Sequence, residues 1–312
     1  MEVLYWFESI RNPILDFFFS TVTHLGEETL FIVLGLIFFW CVNKKEGYYL
    51  LSVGFVGTIL NQFLKMLFRV PRPWVKDENF TPIESAKPEA TGYSFPSGHT
   101  QSSVGLYGGL ARWNKNLIFR IINISICVLV PISRMYLGVH TPLDVLVSVG
   151  IALILVFGFY PFIKKGFENR TRMIILLGIF VLISVAYCIF AELYKLPATA
   201  TGEDYENISS GIKNGYKMLG CTLGIFVAYI VDYKFINFET SGNFLCQALK
   251  FVLGVIPLLA IKEGLRTPID LIFSGHYSSN ALRYLLIVLF AGCIWPLTFK
   301  FFRKITTKKE TV

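Results

Sequence analysis

The sequence predicts an all-α fold, a polytopic membrane helical bundle of about nine transmembrane helices with an N-terminal interfacial helix. Three observations predict it. Of 312 residues, 54% are apolar and only 16% charged. The 25 glycines raise the apolar share to about 62%, against roughly 45–50% in soluble domains. Charge-free stretches recur at 47–64, 145–163 and 173–191, running 18, 19 and 19 residues, and each can cross ~30 Å of hydrocarbon as a helix. The six cysteines lie singly in or beside apolar runs, without the paired spacing of a zinc or redox site. This balance excludes a soluble two-domain protein, a disordered chain and a disulfide scaffold.

Residues 3–25 mix Trp6, Phe7, Ile10, Leu15 and Phe17 to Phe19 with Glu8, Arg11 and Asp16. That mixture suits an amphipathic helix over 1–26 lying at the interface, or a tenth span. Glu2 and Glu8 stand where a signal peptide is basic, so no removable leader is expected. Spans are then expected near 27–43, 47–68, 97–112, 117–134, 142–163, 172–193, 215–233, 245–262 and 282–301. Three of them are interrupted: 100–111 gives only 12 uncharged residues, Arg120 enters the fourth and Lys250 the eighth. Such charges snorkel when they sit near helix ends. The expected organisation is an N-terminal helix, a core bundle over 27–195, and additional helices of unassigned role over 196–312.

The formal charge of +8 sits mostly between apolar runs, where it sets orientation, so no nucleic-acid partner is expected. Connections 44–46, 112–116, 164–172 and 234–244, with the tail residues Arg303, Lys304, Lys308 and Lys309, are assigned to the cytoplasm. With Arg120, Lys250 and Lys300 at the inner ends of their spans, that places 16 of the 29 Lys and Arg inside and 13 outside. The N-terminus is then outside and the C-terminus inside.

Three motifs carry chemistry. In Lys65-Met-Leu-Phe-Arg-Val-Pro-Arg72-Pro73, Lys65 and Arg72 are seven apart and share a face wherever the helix persists, with Pro71 and Pro73 ending it. In Pro96-Ser97-Gly98-His99, Ser97 suits an N-cap and Gly98 permits close approach. Free N–H groups at a helix start bind anions, and His99 beside them can transfer a proton. In Ser133-Arg134 through His140-Thr-Pro-Leu-Asp144, Thr141 and Pro142 suit the start of the fifth span. His140 then lies just outside the helix and Asp144 one turn inside, where an aspartate holding one imidazole nitrogen frees the other as a nucleophile. Taken singly, the motifs also fit interfacial cations, a turn with an incidental histidine, and a helix-capping aspartate.

Topology joins them. Lys65 and Arg72 end the second span, Ser97 to His99 begin the third, Arg134 ends the fourth, and His140 with Asp144 begin the fifth. All therefore lie on one side of the membrane, whichever side that is. Charges at membrane depth are expensive and mark function. Three cations with helix N-termini make an oxyanion site, and two histidines with a carboxylate add nucleophile, acid and orienter for phosphoryl transfer without a metal.

The motifs, in this order, resemble the three-part signature of the type 2 phosphatidic acid phosphatase family, which includes lipid phosphate phosphatases, glucose-6-phosphatase and vanadium haloperoxidases. The likeness covers roughly residues 45–165, and every signature residue is present. The resemblance implies a helical bundle in which His140 attacks phosphorus, Asp144 holds its ring, and His99 protonates the leaving group and later activates water. Lys65, Arg72, Arg134, Ser97 and the Gly98 N–H would hold the phosphoryl oxygens, with no metal and no cofactor. The implied substrate is a lipid phosphate or diphosphate, and the implied setting a multi-pass protein of the bacterial plasma membrane with an extracytoplasmic site. A soluble phosphate ester, or a transporter that holds phosphate without cleaving it, are the alternatives. Ser274-Gly275-His276, after Lys262 and Arg266, echoes the motifs but lacks the preceding Pro and a later Arg-x5-His.

Overall fold

The computed structural model describes residues 1–195, 199–200 and 202–302; the tail cations Arg303, Lys304, Lys308 and Lys309 lie outside them. The described residues form two compact units, each discontinuous in sequence. One comprises Met1–Ile32, Ser52–Pro161 and Leu193–Gly211, and the other Val33–Leu51, Phe162–Glu192 and Ile212–Val312.

Helices run in the order α1 Glu2–Ser9, α2 Pro13–Thr23, α3 Glu28–Ile37, α4 Lys44–Phe68, α5 Pro73–Lys76, α6 Gly98–Trp113, α7 Leu117–Tyr136, α8 Pro142–Leu153 and α9 Phe159–Glu168. They continue as α10 Arg170–Leu193, α11 Gly202–Val231, α12 Phe244–Gly264, α13 Arg266–Ile272 and α14 Ser279–Leu289. Among the described residues seven helices are long and apolar enough to cross a membrane, and an eighth is added if the pair Pro13–Gly26 and Glu28–Val42, bent by 51°, is one span. The chain is a multi-pass membrane protein of the all-α class. The expected count of nine is not reached, because α6 has only 16 residues and carries buried Gln101 and Ser103 among its apolar ones. It is a short helix packed within its unit. By contrast, α7 leaves Leu117, Ile118, Ile121 and Ile122 exposed, which suits lipid and not water.

The expected single helix over 3–25 is two helices. The Asn12 carboxamide oxygen accepts from Ile14 N at 3.1 Å and Leu15 N at 3.0 Å, with Pro13 at the first helical position, so a new helix starts there. The pair is docked on the C-terminal end of α7. Tyr136 Oη donates to Asp16 Oδ1 at 2.5 Å, Arg11 donates to Tyr136 O at 3.2 Å, and Phe7 and Phe19 pack their rings on Tyr136. Tyr136, Leu137 and Val139 form a buried cluster with Phe7 and Ala86.

The other unit is built around aromatic contacts. Trp40 Nε1 donates to Ala291 O at 2.8 Å, its ring lies 6.4 Å from that of Trp295, and Tyr48 packs against Phe167 and Tyr229.

Candidate active site

The eight signature residues all fall in the first unit. Helix α4 ends at Phe68, and Arg69 takes a left-handed turn at φ 47°. The helix therefore stops before Arg72, and Lys65 and Arg72 do not share a helical face. Arg72 sits in extended backbone ahead of α5. Both are buried, and the loop that follows wraps them in carbonyls. Lys65 Nζ donates to Tyr93 O; Arg72 donates from Nε to Gly92 O at 3.1 Å and from Nη2 to Thr91 O at 2.8 Å. Gly92 adopts φ +71°, where a side chain would be strained, and this turns consecutive carbonyls onto the guanidinium.

Ser97 caps α6, its hydroxyl accepting from Thr100 N at 3.3 Å, and its own N–H donates to Asp144 O at 3.2 Å. Thr141 caps α8 in a reciprocal box. Asp144 Oδ2 accepts from Thr141 N at 2.7 Å while Asp144 N donates to Thr141 Oγ1 at 3.4 Å. The second and third motifs are thereby joined through backbone and caps.

His140 is 2% exposed and stands between Arg72 and Asp144. Its Nε2 lies 3.1 Å from Arg72 Nη1, and its Nδ1 lies 3.6 Å from Asp144 Oδ2. The second distance is an ion-pair separation and not the hydrogen bond the sequence leads one to expect, because Oδ2 is already taken by Thr141 N and by Ser94 Oγ at 2.6 Å. Arg72 Nη1 also donates to Val139 O at 2.9 Å. Burial first, then the charges of Arg72, Arg134 and Lys65, hold His140 well below the ordinary imidazole range, so the ring is neutral. Arg134, 1% exposed, donates from Nη1 to Thr23 Oγ1 at 2.7 Å, while its Nε and Nη2 have no partner among the described residues. His99 Nε2, also without a hydrogen-bond partner, lies 3.8 Å from Glu89 Oε2. Of the eight, Gly98 and His99 are only half-buried, so the site opens on their side.

Buried cations without carboxylate partners are costly unless an anion offsets them. Three cations and two histidines face one buried carboxylate, Asp144, and the exposed Glu89, and two Arg134 nitrogens have no hydrogen-bond partner among the described residues. The arrangement has the charge and the free N–H groups suited to a multiply charged oxyanion, with a neutral imidazole beside them.

Several contributors escape sequence reasoning. Ser94 and Thr23 carry no motif. Asn61, one turn before Lys65, is a polar residue in an apolar helix, and that anomaly is a usable signal. Its amide donates to Gln101 Oε1 at 3.0 Å and Pro96 O at 3.4 Å, tying α4 to the turn before α6. His276 belongs to the other unit, 3.6 Å from Glu192 Oε1.

Residues 45–168 match the PAP2 superfamily, and residues 216–308 match the transmembrane extension of PAP2 superfamily phosphatases. Phosphatidylglycerophosphatase B of Bacillus subtilis is 30% identical over 177 residues, covering 52% of this chain and 80% of that protein. Sphingosine-1-phosphate phosphatase 1 of Mus musculus is 25% identical over 284 residues, covering 81% of this chain and 60% of the mouse protein. Undecaprenyl-diphosphatase BcrC of Bacillus subtilis is 27% identical over 156 residues, covering 49% of this chain and 78% of its own. No solved structure matches. Fold and site together define an integral-membrane phosphatase. The chain belongs to the PAP2 superfamily.

Proposed function

We propose that the chain hydrolyses a lipid phosphate or diphosphate on the extracytoplasmic face of a bacterial plasma membrane, through a phosphohistidine. The observation that supports this most is the division of labour at His140. Asp144 lies on the Nδ1 side, and Nε2 points at Arg72 in the cationic cradle. Nε2 attacks phosphorus, forming a P–N bond as the ester P–O bond breaks, and His99 gives its proton to the leaving oxygen. Water then attacks phosphorus, His99 takes the water's proton, the P–N bond breaks, and phosphate leaves. Lys65, Arg72, Arg134, Ser97 and the Gly98 N–H hold the phosphoryl oxygens, and Asp144 stabilises the ring as it becomes positive.

A substrate with its tail in the bilayer accounts for a hydrolytic site held between apolar helices. Phosphatidate, phosphatidylglycerol phosphate and undecaprenyl diphosphate all fit the cradle. The deciding experiment measures phosphate release by the purified protein from these three and from glucose 6-phosphate, with and without EDTA. Release from the lipids, insensitive to EDTA and reduced about 10⁴-fold in His140→Ala, is expected. Preference for the sugar phosphate would move the assignment to soluble esters, and vectorial transport without phosphate release would overturn it.

A further inference from the structure

The N-terminal segment lies outside the stretch 45–168 that matches the superfamily, yet it reaches the cradle. Resting on the hydrolase assignment above, we propose that Thr23 is a positioning residue for Arg134, aiming one edge of its guanidinium at the phosphoryl group.

A guanidinium is planar, and the edge formed by Nε–H and Nη2–H matches two oxygens of a phosphate. Arg134 Nη1, outside that edge, donates to Thr23 Oγ1 at 2.7 Å, and both residues are buried. Nε and Nη2, buried and without a protein partner among the described residues, are the pair the phosphate needs. Thr23 thus occupies the one terminal nitrogen whose engagement fixes the plane without consuming that edge.

The hydroxyl is itself well fixed. Threonine is stiff about χ1, and Thr23 ends α2, the helix anchored by the Asp16 contact to Tyr136. The turn that follows is pressed onto two motif elements. A Cβ at Gly26 would stand 2.7 Å from Val130 Cγ1 on α7 and 2.9 Å from the His99 carbonyl oxygen.

The test uses inorganic phosphate as a competitive inhibitor of the full-length protein. Thr23→Val keeps the shape and loses the acceptor, whereas Thr23→Ser keeps the acceptor. Thr23→Val is expected to raise KM and the phosphate Ki about tenfold, with kcat changed less, and Thr23→Ser to stay within about twofold of wild type. In an Arg134→Ala background, Thr23→Val should change the Ki by less than about twofold, since its effect passes through the arginine. Thr23→Ala serves in place of the valine variant should that one fail to fold. An unchanged Ki in the acceptor-less variant, or an equal loss with and without Arg134, overturns the proposal. If the wild type releases phosphate from no ester, the hydrolase assignment fails instead, and direct phosphate binding to the same variants still decides the role of Thr23.

Discussion

Both units bury cations, and they differ in how many they gather in one place. In the unit formed by 33–51, 162–192 and 212–312, Lys44 donates to Asp232 Oδ2 and to Phe238 O, each at 2.8 Å. Lys250 there is wholly buried, yet it donates to Ser241 O at 3.0 Å and lies 4.8 Å from the centre of the Phe299 ring. In the unit formed by 1–32, 52–161 and 193–211, Lys65, Arg72 and Arg134 are all buried with a single buried carboxylate, Asp144, which the Thr141 N–H and Ser94 hydroxyl already engage. Lys44 has a carboxylate and Lys250 is held by neutral acceptors and a ring, whereas the other unit gathers three buried cations about one buried carboxylate. Burial of a cation is therefore a poor sign of function by itself; several buried cations gathered together, with guanidinium N–H groups left unpartnered, are the informative observation.

The largest expected effect breaks that comparison directly. Arg72 makes contacts from three of its nitrogens to Gly92, Thr91, Val139 and His140. Arg72→Ala should lower kcat/KM for phosphate release about 10³-fold, the scale of losing a preorganised charge at a developing oxyanion. Lys250→Met, which keeps the length and removes the charge, should leave kcat within about threefold. Comparable losses in both variants would show that the Lys250 charge also serves the reaction.

How far the sequence carries follows the same physics. The signature residues are legible because each motif couples a charge to a helix boundary, as at Thr141-Pro142 and Pro96-Ser97, and caps are local. The all-α membrane class is legible because its signal is summed over long apolar runs. The helix count is less so: α6, with Gln101 and Ser103 turned inward, replaces apolar length by burial inside its unit, which hydropathy does not register. The break at Asn12 and the loss of a shared face for Lys65 and Arg72 are matters of where the backbone turns. Thr23 and Ser94 are hidden for another reason. Each acts through a single contact to a residue 111 or 50 positions away, and no spacing rule reaches that far.

A smaller effect sharpens the picture of the shared carboxylate. Ser94 Oγ donates to Asp144 Oδ2 at 2.6 Å, and Ser94 N donates to Val70 O at 2.8 Å, so the hydroxyl is fixed between the first and third motifs. Ser94→Ala leaves Asp144 with its Thr141 contact but frees it to move toward or away from His140 Nδ1. Steady-state kinetics should show kcat lowered about tenfold with KM nearly unchanged, because the carboxylate supports the nucleophile and not the phosphoryl oxygens. A rise in KM without a fall in kcat would instead make Ser94 part of substrate binding.

The smallest effect on rate, and the sharpest control, belongs to the balanced pair. Asp232→Asn keeps an acceptor for the Phe238 N–H, now 3.0 Å from Oδ1, but removes the charge that meets Lys44. The Asp232 side chain is 6% exposed and that of Lys44 21%, so a partly buried lysine would be stranded at a cost of about 2 kcal/mol. The thermal unfolding midpoint in detergent should fall by several degrees while kcat and KM stay at wild-type values. Replacing both partners by apolar residues, as Lys44→Met with Asp232→Leu, should recover much of the lost stability, because the penalty lies in the uncompensated charge and not in the absence of the pair. The same logic cannot rescue the cradle. There the excess charge is what the proposed phosphoryl site requires, and making it apolar should abolish turnover even where it stabilised the fold.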